Sequence, residues 1–487
     1  MTELQVAKHW INGEWVESGR LNDSINPATG EVIGRYHDAG RAEAEQAIQA
    51  ARHAFLNTDW CKNRRLRSHV LNEMADRFAA RSDELIHLLS TENGKVFIES
   101  AIEISLVAPK LRYYAAVALT DHGRALEVQP GTFSLVLREP VGVAGIIVPW
   151  NSPVILFIRA LAPALAAGTT VVAKLPGQTA QVNALVAKTI SETVSLPAGV
   201  VNIFSEAGTG GAEALVDSPF VPVISFTGSV ATARIISAAG AKRLKRFNFE
   251  LGGKTPFIVF NDADIDVLLP TLEKGVTAFA GQFCMTGSRL LVQRDIVDRV
   301  RQGIVERLRQ VKVGPASDHT SDMGPLIDKA SVARVDRMVD EAIAEGAKVL
   351  LRGGPIIEQP LAKGAFYRPT ILEVGESKIE LVQKEVFGPV LTVQVFDTEE
   401  QAVHLANETE YGLAASVWSQ DAARPLRIAA ELQAGTVWIN NWATIYDECE
   451  EGGFKQSGIG RLGGLSAVDV FLEYKHIAHT VGNIKKG

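Results

Sequence analysis

Residues 143–173 read VAGIIVPWNSPVILFIRALAPALAAGTTVVA, and this stretch decides the fold class. Residues 143–148 are a short apolar run stopped by Pro149, which predicts a buried strand. Residues 169–173 form a second such run. Between them lies the most apolar part of the chain, residues 154–172. It is interrupted by Arg159, Pro163 and Gly168, which argues against a membrane span. Further along, residues 178–193 read as a helix and residues 200–204 as a strand introduced by a Pro197-Ala198-Gly199 turn. A strand over 223–226 runs through Thr227-Gly228-Ser229 into a helix over 230–239. Strands alternating with helices predict a mainly parallel sheet covered on both faces.

From Asp262 the pattern begins again. Helices near 297–311 and 331–345 alternate with strands near 390–396, 414–418 and 436–440, so a second α/β domain is expected. Upstream, residues 41–56 place Ala44, Ala47, Ile48, Ala51 and Phe55 on one helical face. Residues 132–139 alternate like an exposed antiparallel strand, and residues 468–478 have similar character. These two are expected to pair as an arm outside both cores, with edges that invite oligomerisation.

The chain has 487 residues, 46% hydrophobic and 22% charged, the balance of a globular protein rather than a disordered or fibrous one. Its net charge of −7 gives no footprint for a nucleic-acid partner. Cys61, Cys284 and Cys449 are odd in number and far apart, so no disulfide framework or metal-binding pair is expected. Together with an N-terminus lacking a signal-like apolar run, this predicts a reducing, cytoplasmic setting.

Three polar residues stand out. Cys284 lies among small residues at an expected helix start, where backbone N–H groups would lower its pKa and favour a thiolate nucleophile. Glu250 sits beside Leu251 and a Gly-Gly pair, where desolvation would raise its pKa toward that of a general base. Asn151, between Pro149-Trp150 and Ser152-Pro153, could donate to a developing oxyanion. Taken singly, each is more readily a core cysteine, a helix-capping or surface glutamate, or a turn asparagine. Gly458-Ile459-Gly460-Arg461-Leu462-Gly463 matches GxGxxG, but no strand precedes it, so a turn-rich loop is expected there.

As an ordered set these residues resemble the aldehyde dehydrogenase superfamily. The likeness runs from Ile11-Asn-Gly-Glu-Trp15 and Asn26-Pro-Ala-Thr-Gly30 through Pro149-Trp-Asn151, Phe226-Thr-Gly-Ser229, Glu250-Leu-Gly-Gly253 and Gly281-Gln-Phe-Cys284. It ends at Glu385-Val-Phe-Gly-Pro389 and Ser457-Gly-Ile-Gly-Arg461. The resemblance implies an α/β fold with a Rossmann-like NAD(P)-binding domain (1–121 and 141–250) and an α/β catalytic domain (251–440). It also implies a β oligomerisation arm (122–140 and 466–487) and a substrate-tunnel loop returning to the cofactor domain (441–465).

The implied chemistry is attack by Cys284 on an aldehyde, an oxyanion held by Asn151 and the Cys284 N–H, hydride transfer to the nicotinamide, and hydrolysis of the thioester by water that Glu250 activates. For NAD or NADP it implies Lys174 at the adenosine ribose, Ser229 near the pyrophosphate, Glu385 and Phe387 at the nicotinamide ribose, and Trp150 behind the adenosine. Val148, Pro149, Pro176, Gly177, Phe226, Thr227, Gly228, Leu251 and Gly252 line the same path. The substrate side is expected at Ser152, Leu156, Arg159, Phe283, Met285, Trp442, Ile445 and Glu451. Relatives assemble as homodimers or homotetramers.

Three departures refine this. The glutamate that many NAD-preferring relatives carry three residues after the lysine is absent, the position being Gly177, so NADP remains acceptable. A lysine–glutamate proton-relay pair of many relatives is replaced by Ala160 and Leu462. Arg159 stands where relatives acting on succinate semialdehyde or salicylaldehyde-like aromatics also have arginine. It either grips a substrate carboxylate or phenolate, or is cancelled by Glu450 or Glu451 in an acidic loop. A second arginine usual in succinate-semialdehyde relatives is Ala278 here, which favours a bulkier, aromatic aldehyde. The alternatives are a CoA-acylating dehydrogenase, against which Glu250 argues, and a noncatalytic structural protein on the same fold.

Overall fold

In the computed structural model, residues 5–375 and 377–481 are described. The apolar runs at 143–148 and 169–173 are neighbouring parallel strands, Val143–Ile147 and Thr170–Pro176. The stretch between them is the buried helix Pro153–Ala167. Pro153 suits its first turn because a proline lacks the N–H that has no partner there, and Gly168, at φ 97°, supplies the left-handed residue that ends it.

These strands centre an eight-stranded sheet. Its order is Gly458–Ile459, Arg246–Leu251, Val223–Gly228, Val143–Ile147, Thr170–Pro176, Val201–Glu206, His9–Ile11, Glu14–Val16. The five central strands are parallel and the outer ones antiparallel. Alternation along each strand splits its side chains between two cores. Ala144, Ile146 and Val171 face one, while Val143, Ile147 and Val172 face the other. The expected helix over 41–56 is Arg41–Asn57, with Ala44, Ala47, Ile48 and Ala51 buried against the second core. Four further helices between Arg64 and Thr120 flank the first core.

The second domain is a seven-stranded sheet, parallel except at Lys348–Leu351. The strands expected near 390–396 and 414–418 are Val390–Phe396 and Ala414–Trp418, and that near 436–440 is Thr436–Ile439. The GxGxxG match falls on the edge strand Gly458–Ile459 and the turn after it, not at the head of a βαβ unit.

The arm is a three-stranded sheet with Thr132–Pro140 between Arg124–Gln129 and Leu472–Thr480. It pairs from Leu472 opposite Pro140 to Thr480 opposite Thr132. It begins at 472 rather than 466. Ser466–Phe471 is a 3-10 turn whose Ala467, Val468 and Phe471 are buried in the first core of the eight-stranded sheet, so their apolar character reports packing and not an exposed strand. Residues 1–4 and 482–487, which the expected domain and arm include, lie outside the described residues. Among the described residues no helix is long and apolar enough to cross a membrane.

Candidate active site

In an open parallel sheet, ligands bind beyond the carboxyl ends of the strands, where the backbone leaves the ladder. Three such ends deliver Pro149-Trp150-Asn151, Thr227-Gly228-Ser229 and Glu250-Leu251-Gly252 to one cavity of about 360 Å³. The second domain closes it with Cys284, Ser331, Arg334, Glu385 and Phe387, and the helix Pro153–Ala167 contributes Leu156 and Arg159.

Cys284 does not start a helix. It follows the 3-10 turn Ala278–Gly281 within a turn, beside left-handed Phe279 and Ala280. The thiol is not acidified: burial pushes it up to about 12, with Arg159 pulling the other way. Glu250 meets the expectation, since burial raises its carboxyl to about 7 against the pull of Arg159. Asn151 is buried, and its Nδ2 donates to the Gln282 carbonyl at 3.0 Å, which ties it to the cysteine turn.

The cofactor-side residues form a cradle. Trp150 and Phe387 meet edge to face at 5.6 Å. Glu385, which burial raises to about 7, accepts from the Gly253 N–H at 3.3 Å. A Cβ at Gly252 would overlap the Glu385 carboxylate and push it from its place. Ser229 caps the helix Val230–Gly240 by accepting from the Thr232 N–H, leaving its first turn toward the cavity. Val148 and Phe226 are buried beneath this rim.

Lys174 and Pro176 end their strand beside Glu206, which pairs opposite Pro176. Gly177 lies on a neighbouring cleft of about 610 Å³, where a side chain would overlap the Tyr36 hydroxyl. A side chain at position 177 would therefore displace Tyr36. Glu206 is committed elsewhere: its carboxylate accepts from the N–H groups of Gly211 at 2.7 Å and Ala212 at 3.2 Å. The cradle fits a dinucleotide, with the Glu385 carboxylate, the Trp150–Phe387 ring pair and the helix start at Ser229 in one cavity.

On the substrate side, Arg159 Nη1 lies 3.2 Å from Glu451 Oε2, with both side chains buried. Of the two acids weighed from sequence, Glu451 is the partner. Glu450 instead accepts from Ser466 Oγ at 2.9 Å. Phe283 and Trp442 meet edge to face at 5.9 Å, and Trp442 Nε1 donates to the Met285 carbonyl at 2.9 Å. Met285 is buried in the cluster behind the cysteine, and Ile445 is exposed on the loop. Ser152 is not available to substrate. Its hydroxyl is engaged by Lys95 Nζ at 2.8 Å, and Lys95 is paired with Glu103. Glu103 also accepts from the Val154 N–H at 3.0 Å, so this buried pair anchors the segment that carries Asn151.

Sequence reasoning missed Lys95 and Glu103, and also Ser331 and Arg334. Arg334 donates to the Val386 carbonyl at 2.6 Å and to that of Phe387 at 3.3 Å, holding Phe387 in its left-handed conformation at φ 52°. The only sequence signal was a basic residue between Val332 and Val335, on the apolar face of the helix Lys329–Ala344.

A cysteine, a buried carboxyl near neutrality and a dinucleotide cradle on two α/β domains define an NAD(P)-dependent oxidoreductase. The family model described as "Aldehyde dehydrogenase family" matches residues 15–477, and the chain belongs to that family. It is 39% identical over 473 residues to the betaine aldehyde dehydrogenase of Bacillus subtilis, covering 96% of each chain. It is 38% identical over 484 residues to the 2-hydroxymuconic semialdehyde dehydrogenase of a Pseudomonas species, covering 97% of this chain and 99% of that protein. A crystal structure of betaine aldehyde dehydrogenase from Staphylococcus aureus in complex with NAD+ superposes with a TM-score of 0.95 at 34% identity, covering 98% of this chain and 95% of that one. The enzyme oxidises aldehydes to acids with NAD(P)+.

Proposed function

We propose that this enzyme acts on a neutral, preferentially aromatic aldehyde through a thioester on Cys284 that water hydrolyses. The observation that carries this is the convergence of Cys284, Glu250 and Asn151, from three separate segments, on one cavity. Bound NAD(P)+ supplies the hydride acceptor. Glu385 would hold its nicotinamide ribose, Lys174 its adenosine ribose and the helix start at Ser229 its pyrophosphate, with Trp150 and Phe387 flanking.

Because burial keeps the thiol protonated, Glu250 takes its proton as Sγ bonds to the aldehyde carbon. The second N–H of Asn151 Nδ2 donates to the oxyanion while the first stays on the Gln282 carbonyl. Once the thioester exists, Glu250 gives up the thiol's proton and, ionised again, draws a proton from water. The water oxygen bonds to the acyl carbon, the carbon–sulfur bond breaks, the departing thiolate takes the proton from Glu250, and the acid leaves.

Substrate class follows from charge. Arg159 is offset by Glu451 and so is not free to grip a carboxylate, and the Phe283–Trp442 pair offers an aromatic wall. If so, Glu451→Gln frees the guanidinium. The ratio of kcat/KM for acid-bearing over neutral aromatic aldehydes should rise about tenfold, roughly one charge-assisted hydrogen bond. An unchanged ratio would count against the offset.

With no acid at 177 and Glu206 committed to backbone N–H groups, both cofactors should serve. The preference for NAD in kcat/KM should stay below about a thousandfold. The deciding experiment is a panel of aliphatic, aromatic and acidic aldehydes with each cofactor, with and without CoA. NADH formation independent of CoA supports hydrolysis, and strict dependence on CoA sinks it. A stoichiometric burst of reduced cofactor excludes a noncatalytic role.

The arm exposes Leu126, Val128, Phe133, Leu135, Leu137 and Ile477, which supports a homodimer or homotetramer built through it. Three free thiols support a cytoplasmic setting.

A further inference from the structure

Among the described residues, three buried polar atoms in and beside the cavity have no hydrogen-bond partner: Glu250 Oε1 and Arg159 Nε on residues that line it, and Glu451 Oε2 on the residue paired with Arg159. Their side chains are all more than nine-tenths buried. Glu250 Oε1 lies against Gly452, 2.9 Å from where a Cβ on that glycine would sit, and Gly452 directly follows Glu451. The contact between Arg159 Nη1 and Glu451 Oε2 lacks hydrogen-bond geometry at that oxygen, so Glu451 keeps a free acceptor inside the site.

The charged groups acting on Glu250 are Arg159, Glu451 and Arg461. The two guanidinium groups stay protonated, so Glu451 alone can accept a proton. The flanking residues Ala160 and Leu462 are apolar, and Leu462 is bonded backbone to backbone across from Glu451. In the other direction Glu451 follows the exposed run Glu448-Cys449-Glu450, which reaches solvent within one turn of chain.

We propose that Glu451, held by Arg159, takes the proton that Glu250 has drawn from the Cys284 thiol and delivers it to solvent before the hydrolytic water is activated. The step rests on the hydrolytic reading above and balances. The proton moves from Glu250 to the Glu451 carboxylate and on to bulk water, regenerating Glu250 as a base. Water then loses one proton to Glu250, its oxygen replaces Sγ on the acyl carbon, and the departing thiolate takes that proton back from Glu250 as the thiol is restored. Arg159 is a positioning residue here, holding the Glu451 side chain by their buried ion pair.

The test is rapid-mixing kinetics of Glu451→Gln with a neutral aromatic aldehyde and saturating NAD+. The burst of about one NADH per site should survive, while the steady-state rate falls about tenfold or more. Intact-mass measurement at steady state should show the acyl-enzyme accumulated. Small buffers such as imidazole should restore turnover in proportion to their concentration, and should leave the wild type unaffected. The double variant Arg159→Met/Glu451→Leu, which strands no charge, should show the same burst and the same rescue. Steady-state rates equal to wild type in both variants would overturn the proposal, and so would a loss that buffer does not relieve. Wild-type enzyme that forms no acyl-enzyme at all would instead overturn the hydrolytic reading.

Discussion

Cys284→Ser should reduce aldehyde-dependent NADH formation by about a thousandfold or more, while the folded protein keeps its wild-type unfolding profile. The serine fits the same turn, since only sulfur is exchanged for the smaller oxygen, and among the described residues Cys284 makes no side-chain hydrogen bond whose loss would unfold it. What changes is chemistry. A hydroxyl is a far weaker nucleophile than a thiolate, and Glu250, near 7, is too weak a base to ionise it. The check is steady-state and single-turnover absorbance at 340 nm, beside thermal unfolding. A variant that still oxidises its substrates at the parental rate would remove the nucleophile from the mechanism and the mechanism with it.

Glu250→Gln should lose both halves of the reaction at neutral pH, and pH should then separate them. In the wild type the base must be deprotonated to act, so kcat/KM should rise as pH rises through about 7 and level off above it. In the variant the thiol must ionise unaided from about 12, so the ionised fraction grows tenfold for each pH unit below that value. Its NADH burst, absent near pH 7, should therefore climb steeply toward pH 10. Its steady-state rate should remain at least about a hundredfold below wild type, because no group is left to draw the proton from water. A burst of wild-type speed at pH 7 in this variant would show that the thiol is acidic in the working enzyme and needs no base. That outcome would restore the expectation drawn from the small residues around Cys284.

The disagreement over Cys284 shows what a motif can and cannot carry. Small residues around a cysteine are compatible with a helix start, and a helix start would have lowered the thiol pKa. The chain instead takes a left-handed turn at Phe279-Ala280, and Gly281 packs against the backbone of Gly388 in a distant segment. The thiol ends up desolvated by groups from elsewhere in the chain. Glu250 could be read correctly because its cause is partly local: a strand end whose own neighbours, Phe249 and Leu251, are buried. The four helices between Arg64 and Thr120 were equally open to reading. Val70, Leu71, Met74, Ala75 and Phe78 carry the helical spacing of a buried face in plain sight.

By itself the sequence determined the two α/β sheets, the pairing of 132–140 with the C-terminal strand, and the membership of Cys284, Glu250 and Asn151 in one site. Periodicity of two or 3.6 and the order of short motifs are properties of neighbouring residues, and they survive without coordinates. Tertiary structure alone decided the partner of Arg159, the loss of Ser152 to Lys95, the placing of Tyr36 against Gly177, and the protonation of the nucleophile. Each depends on through-space distance and on exclusion of water, and both are set by segments that meet only when the chain has folded.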